Sequence, residues 1–292
     1  MTISIQALSL APAVQVWLKH SKSARVLHVF EPVCNLINSE GNITSIVIPQ
    51  IGNGPFTLII PEIDFTDILE SISAVKIINT GVSIGSIEIS TEGSKQWQPS
   101  PDWEKLKTYR DRLKTTAKLI EDLLVEEAPN DSFARISTRI STSHDIPKRI
   151  YKTGKIGIDG LSKALDTMNM KQISIYAEKL AGLGSGLTSA GDDFLMGVMH
   201  AIWAMRPKEK AEQLSTRIAD ASAARTTSLS AAWLRAAARG EAGERWHELF
   251  DAIIYDDGDK FLSAARRILP TGHSSGADAL GGFAQAIRIL AR

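Results

Sequence analysis

The sequence contains very little cysteine. Cys34 is its one cysteine, so no intrachain disulfide and no zinc site built from several cysteines can form. This usage is typical of a reducing compartment, and we expect the chain to be cytoplasmic. The neighbours of Cys34 are largely apolar, which favours a small buried side chain over a nucleophile.

An excess of one charge is also missing. Lysine plus arginine and aspartate plus glutamate each number 33, so the net charge is zero. Proteins that bind nucleic acid normally carry a basic excess, and acidic solvating chains carry the opposite one. The charge balance therefore predicts no nucleic-acid partner.

Long apolar runs are absent as well. The longest helix-like apolar segment covers residues 194–205, whereas a membrane span needs roughly 20 residues. The first lysine is Lys19, so no basic segment precedes the apolar N-terminus as it would in a secretory signal. We expect no membrane partner.

What is present is enough apolar material for a sizeable core, with 292 residues of which 43% are hydrophobic. The first hundred residues contain β-branched runs at 43–48 and 56–60, a pattern typical of strands. After Pro101, apolar residues recur at helical spacing. We predict an α+β fold. It has a β-rich domain over residues 1–100, a small barrel or sandwich, and a mainly helical domain over residues 101–292.

Local signals predict several elements in more detail. Gly52, Asn53 and Gly54 between the two β-branched runs predict a hairpin. The Ser-, Thr- and Arg-rich region 128–155 predicts a polar connection. Further helices are predicted over 212–239, over 243–269 with a break at 256–259, and from Ser275 onward.

The most informative segment is rich in glycine and lies directly before an apolar helix. Four glycines fall within residues 182–191, and glycine lets the backbone approach a ligand closely. The amides of a helix N-terminus attract anions. The segment matches neither a dinucleotide fingerprint nor a Walker loop. It predicts an anion cradle; the simpler alternative is a loop closed by a capping box from Ser189 to Asp192.

A second segment repeats this pattern before another helix. Gly-x-Thr/Ser-Ser-x-x-Asp occurs over residues 186–192 and again over 272–278. Two independent capping boxes explain the repeat, the second from Ser275 to Asp278. Two helix starts that face one pocket explain it as well, and we predict that 184–193 and 272–278 share a site.

The titratable side chains of the two segments are the candidate catalytic residues. The ordinary pKa of histidine lies near neutrality, which suits a general acid or base. Carboxylates repel an anion that binds beside them. Three arrangements resolve this: Mg²⁺ bridges the carboxylate and the anion, the substrate offers N–H donors to the carboxylates, or the aspartates only cap their helices. The candidate catalytic residues are Asp192, Asp193, His273 and Asp278, with Asp192 and Asp193 as the ligands if Mg²⁺ is the cofactor.

The candidate substrate-binding residues are glycines and hydroxyl side chains. Thr226, Thr227 and Ser230 form a hydroxyl cluster inside the alanine-rich helical stretch. The hydroxyls either bond to the previous helical turn or form a polar wall of the pocket. The candidate residues are Gly184, Gly186, Thr188, Gly191, Thr226, Thr227, Ser230, Ser274, Ser275 and Gly276.

These motifs together resemble the AllH family. The resemblance rests on Gly184-x-Gly186-Leu187-Thr188-x-x-Gly191-Asp192-Asp193, on the hydroxyl cluster and on Gly272-His273-Ser274-Ser275-Gly276-x-Asp278. Ser189 stands where many members have proline. The β-rich half, with its turn at 52–55, matches more loosely.

The resemblance implies a role in purine and allantoin nitrogen catabolism. AllH-like proteins accompany two other subunits in an oxamate carbamoyltransferase, which moves a carbamoyl group from oxalurate to phosphate. It thus implies a small anionic substrate, phosphate and partner subunits. The alternatives are a stand-alone metal-dependent hydrolase or transferase and a non-catalytic assembly subunit.

Overall fold

The computed structural model describes residues 2–69, 73–78, 80–138 and 145–292. The chain forms two compact units, the N-terminal unit Met1–Pro99 and the C-terminal unit Ser100–Arg292. The first is rich in strands and the second is mainly helical, so the predicted α+β fold is confirmed. Within the described residues, no helix combines the length and the apolar character that crossing a membrane requires.

The N-terminal unit consists of short strands and one helix, α1 (Pro12–His20). The strands are β1 (Ile3–Gln6), β2 (Ser9–Leu10), β3 (Ala24–Phe30), β4 (Val33–Asn38), β5 (Ile43–Val47), β6 (Thr57–Ile59), β7 (Val75–Ile78), β8 (Gly81–Ile84), β9 (Ile87–Ser90) and β10 (Lys95–Gln96). One sheet has the order β1-β9-β8-β7 and the other β10-β2-β6-β5-β4-β3. A bridge between Arg25 and Ala74 joins β3 to the start of β7, and β1 continues into β2. The two mixed sheets are therefore linked at both ends.

The predicted hairpin over residues 43–60 is wrong. Strands β5 and β6 pair in parallel, with Ser45 opposite Thr57. The chain turns at Gly52, whose amide donates to the carbonyl of Pro49 at 3.1 Å. It turns again where Gly54 donates to the Thr57 hydroxyl at 2.7 Å. After two successive turns, β6 runs in the same direction as β5. The Asn-Gly pair in the sequence indicates only one of these turns.

The interior of the N-terminal unit is apolar. Leu36, Ile46 and Leu58 lie on adjacent strands and are fully buried. Cys34 is buried beside them, and burial raises the pKa of its thiol to about 12. The thiol is therefore protonated at neutral pH, which confirms that Cys34 is a core residue and not a nucleophile.

The C-terminal unit is built from helices. They are α2 (Trp103–Lys107), α3 (Arg110–Glu127), α4 (Ala134–Ser137), α5 (Lys148–Asp166), α6 (Met170–Leu180), α7 (Ala190–Met205), α8 (Lys208–Ser222), α9 (Ser228–Ala238), α10 (Glu244–Tyr255), α11 (Gly258–Ile268) and α12 (Ser275–Leu290). The region 128–155, predicted as a polar connection, contains α4 and the first turns of α5; residues 139–144 of it lie outside the described residues.

Helix breaks follow local capping signals. The break between α10 and α11 is confirmed: Asp256 has a left-handed φ of 58°, and the Asp257 side chain caps α11. The single helix predicted over 212–239 is wrong. A 3-10 turn, Ala223–Arg225, separates α8 from α9, and the Thr227 side chain caps α9 by accepting from the amide of Ser230. The hydroxyl of Thr227 begins a new helix within the alanine-rich stretch, because it offers the backbone an alternative hydrogen-bond partner.

Helices α7 and α12 form the centre of the C-terminal unit. They run parallel. Thr188, just before α7, meets Ser275, the first residue of α12, and Arg206, just after α7, donates to the carbonyl of Leu290, the last residue of α12. Their backbones touch at two glycines, since a Cβ on Gly197 would overlap the carbonyl of Ala279 and one on Gly282 that of Phe194. Both helix N-termini therefore lie at the same end of the unit.

His200 on α7 is buried, and its ring makes no hydrogen bond in the described structure. The imidazole lies among the rings of Trp103, Trp246 and Phe250. Neither ring nitrogen has a hydrogen-bond partner within the described part of the chain. Burial, assisted by the charge of His247, lowers the pKa of His200 to about 3. The ring is therefore neutral at ordinary pH and acts as part of the aromatic core.

Candidate functional site

The structure brings the two glycine-containing segments into contact. The hydroxyls of Thr188 and Ser275 lie 3.0 Å apart, although 87 positions separate them in the sequence. The contact follows from the parallel packing of α7 and α12, which places residues 184–193 beside residues 272–278. We call the first of these segments, residues 184–193, the glycine loop.

Asp192 closes the base of the glycine loop. Its Oδ1 accepts from the amide of Gly182 at 3.1 Å, and its Oδ2 accepts from the hydroxyl of Ser189 at 2.6 Å. The hydroxyl of Thr226 also donates to Oδ2. The alternative of a capping box from Ser189 to Asp192 does not hold, because Ser189 makes no side-chain cap bond and donates to Asp192 instead. Both oxygens of this carboxylate are thus occupied by donors of the same chain.

Asp193 is buried at the junction of the two segments. The hydroxyls of Thr188 and Ser275 lie beside its carboxyl, while its Oδ2 has no hydrogen-bond partner among the described residues. Burial, reinforced by the negative charge of Asp278, raises the pKa of Asp193 to about 8. This side chain is therefore mostly a neutral carboxylic acid at neutral pH.

Asp278 faces into the helical unit. It accepts from the hydroxyl of Ser132 at 2.6 Å, from the amide of Phe133 at 2.6 Å and from the hydroxyl of Ser274 at 2.9 Å. Burial raises the pKa of Asp278 to about 7, and these hydrogen bonds act in the opposite direction. The second predicted capping box, from Ser275 to Asp278, is also wrong: Ser274 is the N-cap residue and makes no side-chain cap bond.

Sequence reasoning missed Ser132 and Phe133, which hold Asp278 from a distance of about 146 positions. The only signal was a run of helix-capping residue types, Asn130, Asp131 and Ser132, inside the region predicted as a polar connection. Their contact with α12 is a property of the tertiary fold.

His273 lies at the edge of this region. Its side chain is 78% exposed, and its Nε2 is 3.0 Å from Oδ2 of Asp131. It makes no hydrogen bond to Asp192, Asp193 or Asp278 in the described structure. Asp131 orients the ring, and sequence reasoning missed this residue too.

The hydroxyl cluster contacts the glycine loop from the start of α9. Thr226 donates to Asp192, and Thr227 donates to the carbonyl of Leu187 at 2.7 Å. Ser230 is buried, and its hydroxyl has no partner among the described residues. The structure thus brings the start of α9 to the same loop as the starts of α7 and α12.

The glycines have two different roles. Gly191 and Gly276 serve packing: their amides donate to the carbonyls of Leu183 and Thr271, and a Cβ on either would overlap a carbonyl of the preceding helix. Gly184 and Gly186 instead take left-handed φ angles of 117° and 103°. These angles shape the loop and require glycine.

A row of backbone amides is free in the glycine loop. In the described structure, the amides of residues 184–188 donate no hydrogen bond. They precede the N-terminus of the 16-residue helix α7, where the helix dipole favours negative charge. Free amides at a helix N-terminus can bind a carboxylate or a phosphate group.

The site does not fit Mg²⁺ well. Among the described residues, no group of three or more His, Cys, Asp or Glu side chains is placed to hold a metal ion. Both oxygens of Asp192 already accept hydrogen bonds, and the buried Oδ2 of Asp193 has no hydrogen-bond partner among the described residues.

Comparison with family models identifies related proteins. A model described as oxamate carbamoyltransferase subunit AllH matches residues 180–287, and one for the AllH family N-terminal domain matches residues 5–96. The chain belongs to the AllH family. The AllH match contains the glycine loop, the hydroxyl cluster and the start of α12. No solved structure matches the chain.

Asp192→Asn tests the hydrogen bonds that the Asp192 carboxylate accepts at the glycine loop. If the Asp192 carboxylate also holds a ligand, we expect this change to weaken ligand binding at least about tenfold. The structure adds a stability cost of about 1–2 kcal/mol, because the asparagine amide has one acceptor oxygen. In either orientation its NH2 group faces a donor that the carboxylate accepted from, the Gly182 amide or the two hydroxyls. Urea unfolding measures the change in the free energy of unfolding. Asp259→Asn, at the exposed first turn of α11, is the matched control. If both changes have an equally small effect on stability, the hydrogen bonds to Asp192 do not stabilise the loop.

Proposed function

We propose that this chain serves as a subunit of an oxamate carbamoyltransferase and binds a small anionic substrate at the glycine loop. The enzyme moves a carbamoyl group between oxalurate and phosphate in purine and allantoin nitrogen breakdown. Family membership supports the subunit role. The observation that carries the site is the row of free amides at residues 184–188, before the N-terminus of α7.

The carboxylates beside the loop are compatible with an anion. Asp193 and Asp278 have pKa values raised to about 8 and about 7, so much of their negative charge is absent at neutral pH. Asp192 keeps its oxygens turned toward three internal donors. Burial and internal hydrogen bonds therefore reduce the repulsion between these carboxylates and an anion bound at the glycine loop.

The chemistry of the proposed substrates suits this arrangement. Oxalurate carries a carboxylate and several N–H groups, and phosphate is the second substrate. The loop amides would hold an oxyanion, and these fixed dipoles would stabilise negative charge that develops during carbamoyl transfer. His273, exposed beside the loop and oriented by Asp131, is the candidate general acid or base.

Gly186→Ala tests the loop as the anion site. Alanine is strained at the φ of 103° and would lie 3.2 Å from the carbonyl of Thr188. We expect binding of oxamate and of phosphate to weaken at least about tenfold, measured by calorimetry on the full chain.

Gly41→Ala is the matched control, because Gly41 also has a positive φ, 81°, and nothing surrounds its Cβ position. Both changes should cost about 1 kcal/mol of stability, but only Gly186→Ala should affect binding. With the partner subunits added, the wild-type chain should support formation of carbamoyl phosphate from oxalurate, and Gly186→Ala should not. Equal binding by both variants would contradict the proposed site. Normal product formation by Gly186→Ala would leave this chain as an assembly subunit.

A further inference from the structure

Helices α5 and α6 pack closely as an antiparallel pair. A Cβ on Gly157 would overlap the side chain of Leu180, and a Cβ on Gly160 would overlap the ring of Tyr176. Higher positions on α5 thus face lower positions on α6. The two helices form one fixed surface, which we call the α5–α6 pair.

The α5–α6 pair carries an excess of positive charge. Residues 148–180 contain seven lysine or arginine residues and three aspartate or glutamate residues, a net charge of +4 in a chain with no net charge. The charge of the chain is therefore unevenly distributed. The cations of the pair, all of them exposed, are Lys148, Arg149, Lys152, Lys155, Lys163, Lys171 and Lys179.

The acidic residues of the pair offset little of this charge. Asp166 pairs with Arg292 at 4.0 Å, and Glu178 pairs with Arg225. Both carboxylates are therefore engaged by arginines from other elements. The third acid, Asp159, pairs with Lys155 at 2.8 Å.

The cations are densest at the start of α5. Lys148, Arg149 and Lys152 lie within its first five residues, and its first turn contains no acidic residue. These three side chains form no ion pair or hydrogen bond within the described part of the chain. The helix dipole is positive at this end, and like charges on neighbouring turns repel each other. The arrangement destabilises the free chain, and an acidic partner would relieve the repulsion.

Exposed apolar side chains lie among these charges. Ile156 on α5 is 46% exposed, and Ile175 on α6 is 40% exposed. Ile156 lies four positions after Lys152 and therefore on the same face of α5. Protein interfaces combine apolar contacts with complementary charges, whereas the nucleic-acid backbone is contacted mainly by hydrogen-bond donors. The surface therefore favours a protein partner with acidic side chains.

We propose that an acidic surface of a partner subunit docks on the exposed residues Lys148, Arg149, Lys152 and Ile156, which we call the basic face. The three cations are the charged contacts, and Ile156 is the apolar contact. This inference rests on the proposed subunit role and adds where the partner binds. The basic face shares no residue with the glycine loop or with α12.

Reversal of the three unpaired charges tests the basic face. The variant Lys148→Glu/Arg149→Glu/Lys152→Glu should bind the partner subunits at least about thirtyfold more weakly, measured by sedimentation velocity on the full chain. Its melting temperature should not fall, because acidic residues favour a helix N-terminus. Wild-type affinity should also fall at least about tenfold as salt rises from about 0.05 M to about 0.3 M.

Helix α8 provides the matched control. It also begins directly after a proline, and Glu209 and Glu212 lie among its cations. The variant Lys208→Glu/Lys210→Glu/Arg217→Glu changes the net charge by the same amount, and its affinity for the subunits should stay within about threefold of the wild type. Equal losses for the two variants would indicate a general effect of net charge and would overturn the proposal.

Ile156→Ala distinguishes a protein partner from nucleic acid. The change should weaken subunit binding at least about threefold, because a contact at the interface is lost. Fluorescence anisotropy with duplex DNA and with single-stranded RNA provides the other arm. Nucleic-acid binding that charge reversal at the basic face abolishes, together with an unchanged subunit complex, would overturn the proposal.

The same measurements separate this inference from the proposed function. The charge-reversed variant should bind oxamate as the wild type does, because its glycine loop is unchanged. If this variant forms the subunit complex as tightly as the wild type, the basic face is contradicted and the subunit role stands. If the wild type forms no complex with the subunits, the subunit role fails and the basic face fails with it.

Discussion

Gly197→Ala is expected to destabilise the C-terminal unit severely. A Cβ at this position would overlap the carbonyl of Ala279 and approach the amide of Phe283. Both belong to the backbone of α12, so no side-chain rotation can relieve the overlap. The two central helices would have to separate, and we expect a loss of about 3 kcal/mol or more of unfolding free energy. Separation would also pull Thr188 away from Ser275.

Gly258→Ala is the matched control for this substitution. Gly258 is the first residue of α11, and nothing lies within 4 Å of its Cβ position. Alanine there should leave stability unchanged or raise it by up to about 1 kcal/mol, because alanine favours the helix more than glycine does. Urea unfolding followed by the helical circular dichroism signal compares the two variants. A loss below about 1 kcal/mol for Gly197→Ala would show that the helices are not in direct backbone contact.

Asp278→Ala is the second change with a large expected effect. It removes the acceptor of the Ser132 hydroxyl, the Phe133 amide and the Ser274 hydroxyl. These donors would remain buried without partners, and we expect a loss of about 3–5 kcal/mol in urea unfolding. Asp131→Ala is the control, because its partner His273 is largely exposed and such pairs contribute less than about 1 kcal/mol. Similar losses for the two variants would contradict the importance of the buried network.

Stability should also depend on pH through this carboxyl. The pKa of Asp278 is raised from 3.8 to about 7 in the folded chain. The folded state therefore binds more protons than the unfolded state between these values, and stability falls as pH rises through this window. The raised pKa of Asp193 extends the fall to about pH 8. Asp278→Asn should remove its share of the fall, and a variant with the full wild-type slope would show that Asp278 does not cause it.

The sequence by itself determined the class of the fold and the location of the segments that we propose as the site. The change from β-branched runs to helical spacing near Pro101 separates the strands from the helices. Repeated Gly, Ser and Asp residues marked the starts of α7 and α12, and with the hydroxyl cluster they sufficed to identify the AllH family. These signals are local, since strand period, helix period and capping residues act over a few neighbouring positions.

Only the tertiary structure decided what the polar side chains do. Capping boxes were a reasonable alternative from the spacing, yet Asp192 and Asp278 accept from Thr226 and Ser132, which are 34 and 146 positions away. Likewise, β5 and β6 pair in parallel although an Asn-Gly signal lies between them. Whether a carboxylate caps its own helix, holds a distant segment or stays neutral depends on burial and on which donors other elements bring to it. The packing of the whole unit sets the burial of each carboxylate and the donors that surround it. A short stretch of sequence does not contain this information.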